Sequence, residues 1–371
     1  MSFKLAIIGA SYLQLPLVEK AKSMGLETHC FAWKEGAICS DIADFFYPIS
    51  VLDKEKILKI CTSLEIDGIT TIATDIAIPT VSYVGEKLNL CVNSYYSSII
   101  STNKILMRRK FKDFNVKSPQ FWELETEDSE KVTSDFPVIV KPVDRSGSRG
   151  VSKVNKKEDL LEAIDEACKE SLTNSCIVED YIEGAEVSVE SISWKGNHYI
   201  LAITDKITTG EPNFVELSHH QPSNCNNYIK ETLKSETFKA LKSLGVENGA
   251  GHTEFKITEN GEVYIIEVGA RMGGDFIGSH LVKLSTGYDF LEGVINVALN
   301  RFDPNSIRVI DNSFSGVYFL SKETEQILPF FKKKNFFDVE KQVMSKKMIT
   351  IKNSNDRSGY LIYNSNQRII L

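Results

Sequence analysis

Two alternating runs on either side of Asn260-Gly261 constrain this chain more than any other feature. They lie within residues Gly251 to Phe276. Asn-Gly between such runs is a strong signal for a tight antiparallel turn. With Asn260 and Gly261 at the turn centre, Glu259 faces Glu262, Ile257 faces Tyr264, Phe255 faces Ile266 and Glu254 faces Glu267. Alternation puts Phe255, Ile257, Tyr264 and Ile266 on an apolar face. It puts His252, Glu254, Lys256, Ile265, Glu267, Gly269 and Arg271 on the other. Directly opposed like charges destabilise a sheet, so something must offset Glu254 and Glu267. Mg²⁺ is one candidate, since it takes one or two carboxylates and fills its shell with phosphate oxygens. The alternative is a solvated pair neutralised by Lys256, His252 or Arg271. The pairing is register-dependent, because a one-residue slip breaks it. Next comes Gly269-Ala270-Arg271-Met272-Gly273-Gly274-Asp275. Here Arg271 is either a bidentate ligand for phosphate or carboxylate or a lone Arg on an exposed turn.

The first 95 or so residues alternate strand and helix, which implies a parallel α/β sheet. Residues 4–9 read as a buried strand. Gly9-Ala10-Ser11 turns into a helix from Tyr12 to Met24, closed by Gly25. That turn is either a phosphate site without the full G-x-G-x-x-G pattern or simply tight. Thr102 to Asn115 reads as one basic helix, and Ser118-Pro119 as an extended break. Residues 119–184 read as a small α+β unit. Val187–Trp194 and His198–Thr204 read as a hairpin about Lys-Gly-Asn. The organisation expected is residues 1–100, a Rossmann-like domain; 101–185, a linker helix and small lobe; 186–300, a large lobe; and 301–371, a small, mostly β region without recognisable chemistry.

A net charge of −7 gives no basic footprint for nucleic acid. No apolar run approaches the ~20 residues needed to span a bilayer, and the N-terminus shows no signal-peptide pattern. The seven cysteines are scattered, without a Cys-x-x-Cys pair, so a reduced, cytoplasmic setting is expected.

Two further stretches carry chemistry. Lys141 to Val151 is a basic, glycine-bearing loop between two strands. With no helix after it, it is not a P-loop. It is either a flap whose backbone N–H groups fold over phosphates or a mobile surface hairpin. Ile177 to Ser191 holds Glu179-Asp180-Tyr181-Ile182 and a break at Gly184. It offers a backbone edge and acidic side chains to a nucleoside, or is an ordinary solvated loop.

The order of these pieces resembles the ATP-grasp superfamily over residues 1 to about 300. Within it the chain is most similar to carboxylate–amine ligases, the class including bacterial L-amino-acid ligases and glycinamide ribonucleotide synthetase. The fold implied is α/β and α+β, an ATP-grasp fold with an N-terminal Rossmann-like domain. The resemblance implies that Lys104 and Lys141 contact ATP phosphates. Ser146, Gly147, Ser148 and Gly150 would belong to the flap. Glu179, Tyr181 and Ile182 would form the adenine hinge, and Glu186 would accept from the ribose. Glu254 and Glu267 would hold Mg²⁺, with Mn²⁺ as a substitute. Arg271 would stabilise the transferred phosphate, with Gly273 beside it. Where the family often has Asn, two residues after the second metal Glu, this chain has Gly269.

The implied chemistry is phosphoryl transfer from ATP to a small carboxylate, such as an amino acid, then attack by an amine on the acyl phosphate. On the substrate side, Glu216 would bind an amino group and His219 or His220 would act as base; the alternative is that the paired histidines simply end a strand at the surface. Adjacent strand residues face opposite ways, so at most one of the two histidines should line the site. A carboxylase or carboxylate kinase, and a nucleotide-binding protein without turnover, are the other readings. A homodimer is the default expectation.

Overall fold

The computed structural model describes residues 2–124, 132–133, 135–308, 313–345 and 347–371. The chain opens with β1 (Lys4–Ile8), α1 (Leu15–Ser23), β2 (Glu27–Ala32), β3 (Phe45–Pro48), α2 (Lys54–Leu64), β4 (Gly68–Thr70) and α3 (Ile78–Lys87). Its strands form a parallel sheet in the order β3-β2-β1-β4. β1 is apolar along its length because both faces are covered: Leu5 and Ile7 enter one core cluster, Ala6 and Ile8 another. The Gly9-Ala10-Ser11 turn borders a small cavity of about 140 Å³ and is braced by the Gln14 side chain. Ser11 N–H and Oγ donate to Gln14 Oε1 at 3.1 and 2.8 Å, and Gln14 Nε2 donates to the Ile72 carbonyl at 2.7 Å.

The basic helix expected over 102–115 is α5 (Lys104–Asp113), and a separate helix, α4 (Tyr95–Thr102), precedes it. Asn103 is extended between them, and its side chain caps α5 by accepting from Leu106 N–H. A small antiparallel lobe follows, made of β5 (Phe121–Leu124), β6 (Val138–Pro142), β7 (Ser152–Val154), α6 (Leu160–Glu170) and β8 (Cys176–Asp180). Its sheet order is β5-β8-β6-β7, and the glycine loop joins β6 to its hairpin partner β7. α6 covers one face through Leu160, Ile164 and Ala167.

The large lobe contains β9 (Ala185–Trp194), β10 (Asn197–Thr208), β11 (Glu216–Gln221), α7 (Asn227–Ser243), β12 (Gly249–Ile257), β13 (Val263–Gly269), α8 (Val282–Thr286) and α9 (Phe290–Ala298). α9 joins it to the N-terminal sheet: Val294 and Val297 share a cluster with Leu5, Ile7 and Ile192. The chain ends with β14 (Phe314–Leu320), α10 (Leu328–Lys332), β15 (Asp338–Val343) and β16 (Gly359–Ser365). These strands do not make a separate C-terminal sheet. They extend the large one, in the order β13-β12-β9-β10-β11-β14-β16-β15. The cause is the apolar run of β14, which is buried on both faces, Val317 and Phe319 in one cluster and Tyr318 and Leu320 in another. No helix among the described residues is long and apolar enough to cross a membrane.

The β12–β13 hairpin departs from its predicted register twice. The turn is a three-residue loop, Glu259-Asn260-Gly261. Gly261 N–H donates to Thr258 O, Thr258 N–H donates to Glu262 O, and Gly261 has φ +83°, as this turn class requires. Phe255 therefore pairs with Ile265 and Ile257 with Val263. Glu262 lies across from Thr258 rather than Glu259. A bulge at Ile266 then restores the expected partner, and Glu254 pairs with Glu267. The bulge also exchanges two side chains. Ile265 joins Phe255 and Val263 in the core, while Ile266 and Glu267 both face the cavity between the lobes.

Gln14→Ala should lower the free energy of unfolding by about 1–3 kcal/mol, because it strips buried hydrogen bonds from Ile72 O and Ser11. Urea denaturation of the two proteins measures this.

Candidate active site

Two adjoining cavities meet at Glu254, and Glu267 lines the first of them. One, of about 180 Å³, lies between the small and large lobes. The other, of about 280 Å³, lies between the N-terminal domain, the large sheet and the C-terminal segment. Lys206, Glu254, His252 and Arg271 line both.

The opposed carboxylates are offset by two lysines that lie far away in sequence. Lys206, from β10, bonds Glu254, and lies 3.6 Å from Glu216. Lys104, at the start of α5, lies 3.0 Å from Glu267 and donates to the flap carbonyl of Arg145 at 2.7 Å. Of the neutralisers considered from sequence, Lys256 is engaged elsewhere, 2.7 Å from Glu186. Arg271 is also engaged: Nε and Nη2 donate to the two oxygens of Asp75 at 3.0 Å each. His252 does contribute. Its Nε2 lies 3.1 Å from Glu254 and its Nδ1 2.6 Å from the fully buried Glu190. Burial would lower the His252 pKa, but the carboxylates of Glu190 and Glu254 lift it to about 9. Burial would raise the Glu254 carboxyl, yet Lys206 and His252 hold it well below the usual range.

The donor set suits a hard cation that also binds a ligand. Glu254 and Glu267 supply two carboxylates beside open space, which leaves positions for phosphate oxygens and water. Among the described residues there is no group of three or more His, Cys, Asp and Glu placed to hold a metal. Gly269 has a packing reason. A Cβ there would come within 2.9 Å of Arg271 Cζ, so a larger residue would displace the guanidinium.

Glu179 lines the inter-lobe cavity. Its carboxylate is 2% exposed, with Arg108 Nε 2.7 Å from one oxygen and Lys141 Nζ 2.7 Å from the other. The side chain is committed to these cations. Burial would raise its carboxyl, but Arg108 and Lys141 keep it low. Burial lowers the Lys141 pKa despite Glu179. Arg108 also donates to Ile266 O at the bulge, at 2.6 Å. Tyr181 and Ile182 line the inter-lobe cavity, as do Glu186 and the flap residues Ser146, Gly147 and Ser148. Gly150 does not; it turns towards Pro142 and Glu170.

On the other side, the two histidines separate as strand alternation requires. His219 lines the second cavity, both ring nitrogens lack hydrogen-bond partners, and Asp275 lies 3.8 Å away. Burial lowers its pKa. His220 faces away and is committed to Tyr363 OH at 2.9 Å and Ser218 Oγ at 3.0 Å. Gly273 packs against His252 and Glu190. Glu216 lines both cavities and is held by Arg357 Nη2 at 3.0 Å.

Sequence reasoning passed over Asp75, Arg108, Glu190 and Arg357 as site residues. Alternation along β9 already puts Glu186, Ser188 and Glu190 on one face, opposite Lys256, Glu254 and His252, so Glu190 was findable. Asp75 and Arg357 reach the site from distant segments and leave no local signal.

Residues 134–279 match the family model described as an ATP-grasp domain. The chain is similar to the alanine–anticapsin ligase of Bacillus subtilis, 28% identical over 270 residues, 63% of this chain and 57% of that protein. It thus spans little more than half the length of that relative. It is also similar to the D-alanine–D-alanine ligase of Flavobacterium johnsoniae, 26% identical over 283 residues, 72% of this chain and 84% of that one. Among solved structures, the L-amino acid ligase of Bacillus licheniformis superposes with a TM-score of 0.83 at 23% identity. That match covers 99% of this chain and 95% of the other. Phosphoribosylglycinamide synthetase from Anaerococcus prevotii gives a TM-score of 0.78 at 23% identity, over 99% and 95%.

His220 provides a test of the burial pattern. Burial holds its pKa at about 3 in the folded protein, against ~6.5 unfolded. Between those values the unfolded chain binds the extra proton, so stability falls as pH drops from 6.5 towards 3. Wild type should lose about 1 kcal/mol per pH unit more than His220→Gln between pH 6.5 and 5. Urea unfolding at several pH values measures the difference.

Proposed function

We propose that this chain, which carries an ATP-grasp domain, is an ATP-dependent, ADP-forming ligase joining a small carboxylate to an amine through an acyl phosphate. The observation that carries the reading is the Glu254–Glu267 pair, opposed across β12 and β13 in the inter-lobe cavity, with Glu254 also lining the second one. One cavity takes the nucleotide and the other the acid and amine. Glu254 and Glu267 would hold Mg²⁺, which when bound neutralises phosphate charge.

The chain's own residues do the positioning. Lys104 and Lys141 bind phosphate oxygens, Lys141 oriented by Glu179. The flap from Ser146 to Ser148 lies over the triphosphate and excludes water. Tyr181 and Ile182 border the base, and Glu186 is near enough to Lys256 to share its charge with a ribose hydroxyl. Arg271, fixed by Asp75, faces the transferred phosphoryl group. Positioning and electrostatic stabilisation supply the rate, so no nucleophilic side chain is needed. His219 accepts the proton that the neutral amine loses as its C–N bond forms and phosphate leaves, and Glu216 borders the amine.

Incubation with Mg-ATP, pools of amino acids and hydroxylamine should release ADP and form a hydroxamate. AMP and pyrophosphate would contradict the proposal. Glu267→Gln should cut ATP turnover by about 100-fold or more, with an unchanged circular dichroism spectrum. Turnover at the wild-type rate would remove Glu267 from the metal site.

A further inference from the structure

The second cavity is walled by a segment for which the ligase reading so far has no use. Asn353, Ser354 and Asn355 face it from the C-terminal part of the chain, across from flap residue Gly147. The segment is held in one shape. Asn353 Oδ1 accepts from Asn355 N–H at 3.0 Å, and Asp356 Oδ2 accepts from Lys352 and Asn353 N–H at 2.9 and 3.2 Å. Arg357 fastens it to the site. Nη2 donates to Glu216 Oε2 at 3.0 Å, Nη1 donates to Asp275 Oδ2 at 2.8 Å, and the guanidinium lies 3.7 Å over the Phe319 ring.

Most of the charges on this side of the cavity are therefore spent on one another, while Arg149, which also lines it, bonds only the Ser146 carbonyl among the described residues. Arg357 takes Glu216 and Asp275, Lys206 takes Glu254, and Asp75 takes Arg271. The neutral groups are not spent. Thr74 and Ser354, half-buried, and Tyr12 and Asn355, exposed, line the cavity, and among the described residues their side chains show no hydrogen bond to the protein. Only Leu13, Ala73 and Ile277 in the lining are aliphatic. A purely aliphatic substituent packed on Thr74 and Ser354 would strip water from their hydroxyls without replacing it, a cost that a hydrogen-bonding substituent does not incur. A cationic one would find its counter-charges already engaged.

We infer that the loop Asn353–Asn355 is a specificity wall for the amine substrate, and that it selects an amine bearing a neutral hydrogen-bonding group, a hydroxyl or carboxamide. Arg357 acts as a positioning residue that holds this wall against Glu216 and Asp275. The inference rests on the ligase reading.

Size-matched amines test it: threonine against valine, serine against alanine and asparagine against leucine. Each is supplied with Mg-ATP and the acid that gives hydroxamate, and products are sorted by mass spectrometry according to which residue supplied the amine. The polar member of each pair should have a kcat/KM about 10-fold or more above its partner. Ser354→Ala and Asn355→Leu should cut that ratio to about 3-fold or less, chiefly through KM, while hydroxamate formation with hydroxylamine stays at the wild-type rate. Equal efficiency within the pairs, or ratios unmoved in both variants, overturns the inference and leaves the ligase reading standing. Hydroxamate without any amine product overturns it also. Absence of ADP release with every acid removes the ligase reading and this inference with it.

Discussion

Two glutamates opposed on neighbouring strands create the problem that the rest of this molecule is arranged to solve. Opposed carboxylates weaken the ladder that holds them, so β12 and β13 need cations from elsewhere to place Glu254 across from Glu267. Lys206 reaches in from β10 and Lys104 from α5. Those lysines fix how the linker helix and the large sheet sit around the pair. Lys104 also bonds the flap at Arg145, so the charge that steadies Glu267 also steadies the loop across the cavity.

From that pair the charges alternate through the interior. Glu190, His252, Glu254, Lys206, Glu216, Arg357 and Asp275 follow one another in contact, through four strands and the C-terminal segment. A second chain runs through Arg108, Glu179 and Lys141. Buried ion pairs are weak sources of net stability but are strongly penalised when one partner is removed. Their effect is to hold each group in one place, which is what phosphoryl transfer asks of a protein.

How much of this was legible beforehand depended on distance along the chain. The parallel sheet followed from strand–helix alternation, and the strand-to-strand nature of the glycine loop from the absence of a helix after it. The Glu254–Glu267 pairing came out despite two errors. The turn was one residue longer than Asn-Gly implied, and the bulge at Ile266 took the shift back. Ile265 and Ile266 were assigned to the wrong faces for the same reason. Contacts such as Arg271 to Asp75 and Arg357 to Glu216, separated by 196 and 141 residues, leave no periodic trace. The C-terminal strands looked like a tail because nothing local says that β14 completes the large sheet.

The central claim is that this arrangement activates a carboxylate by moving a phosphoryl group onto it. Following oxygen is the most direct test. The acid that supports turnover is labelled with ¹⁸O in its carboxylate, and the inorganic phosphate released with the amide product is examined by ³¹P NMR. Passage through an acyl phosphate predicts one ¹⁸O in each phosphate. Unlabelled phosphate, or label found in AMP, would contradict the account.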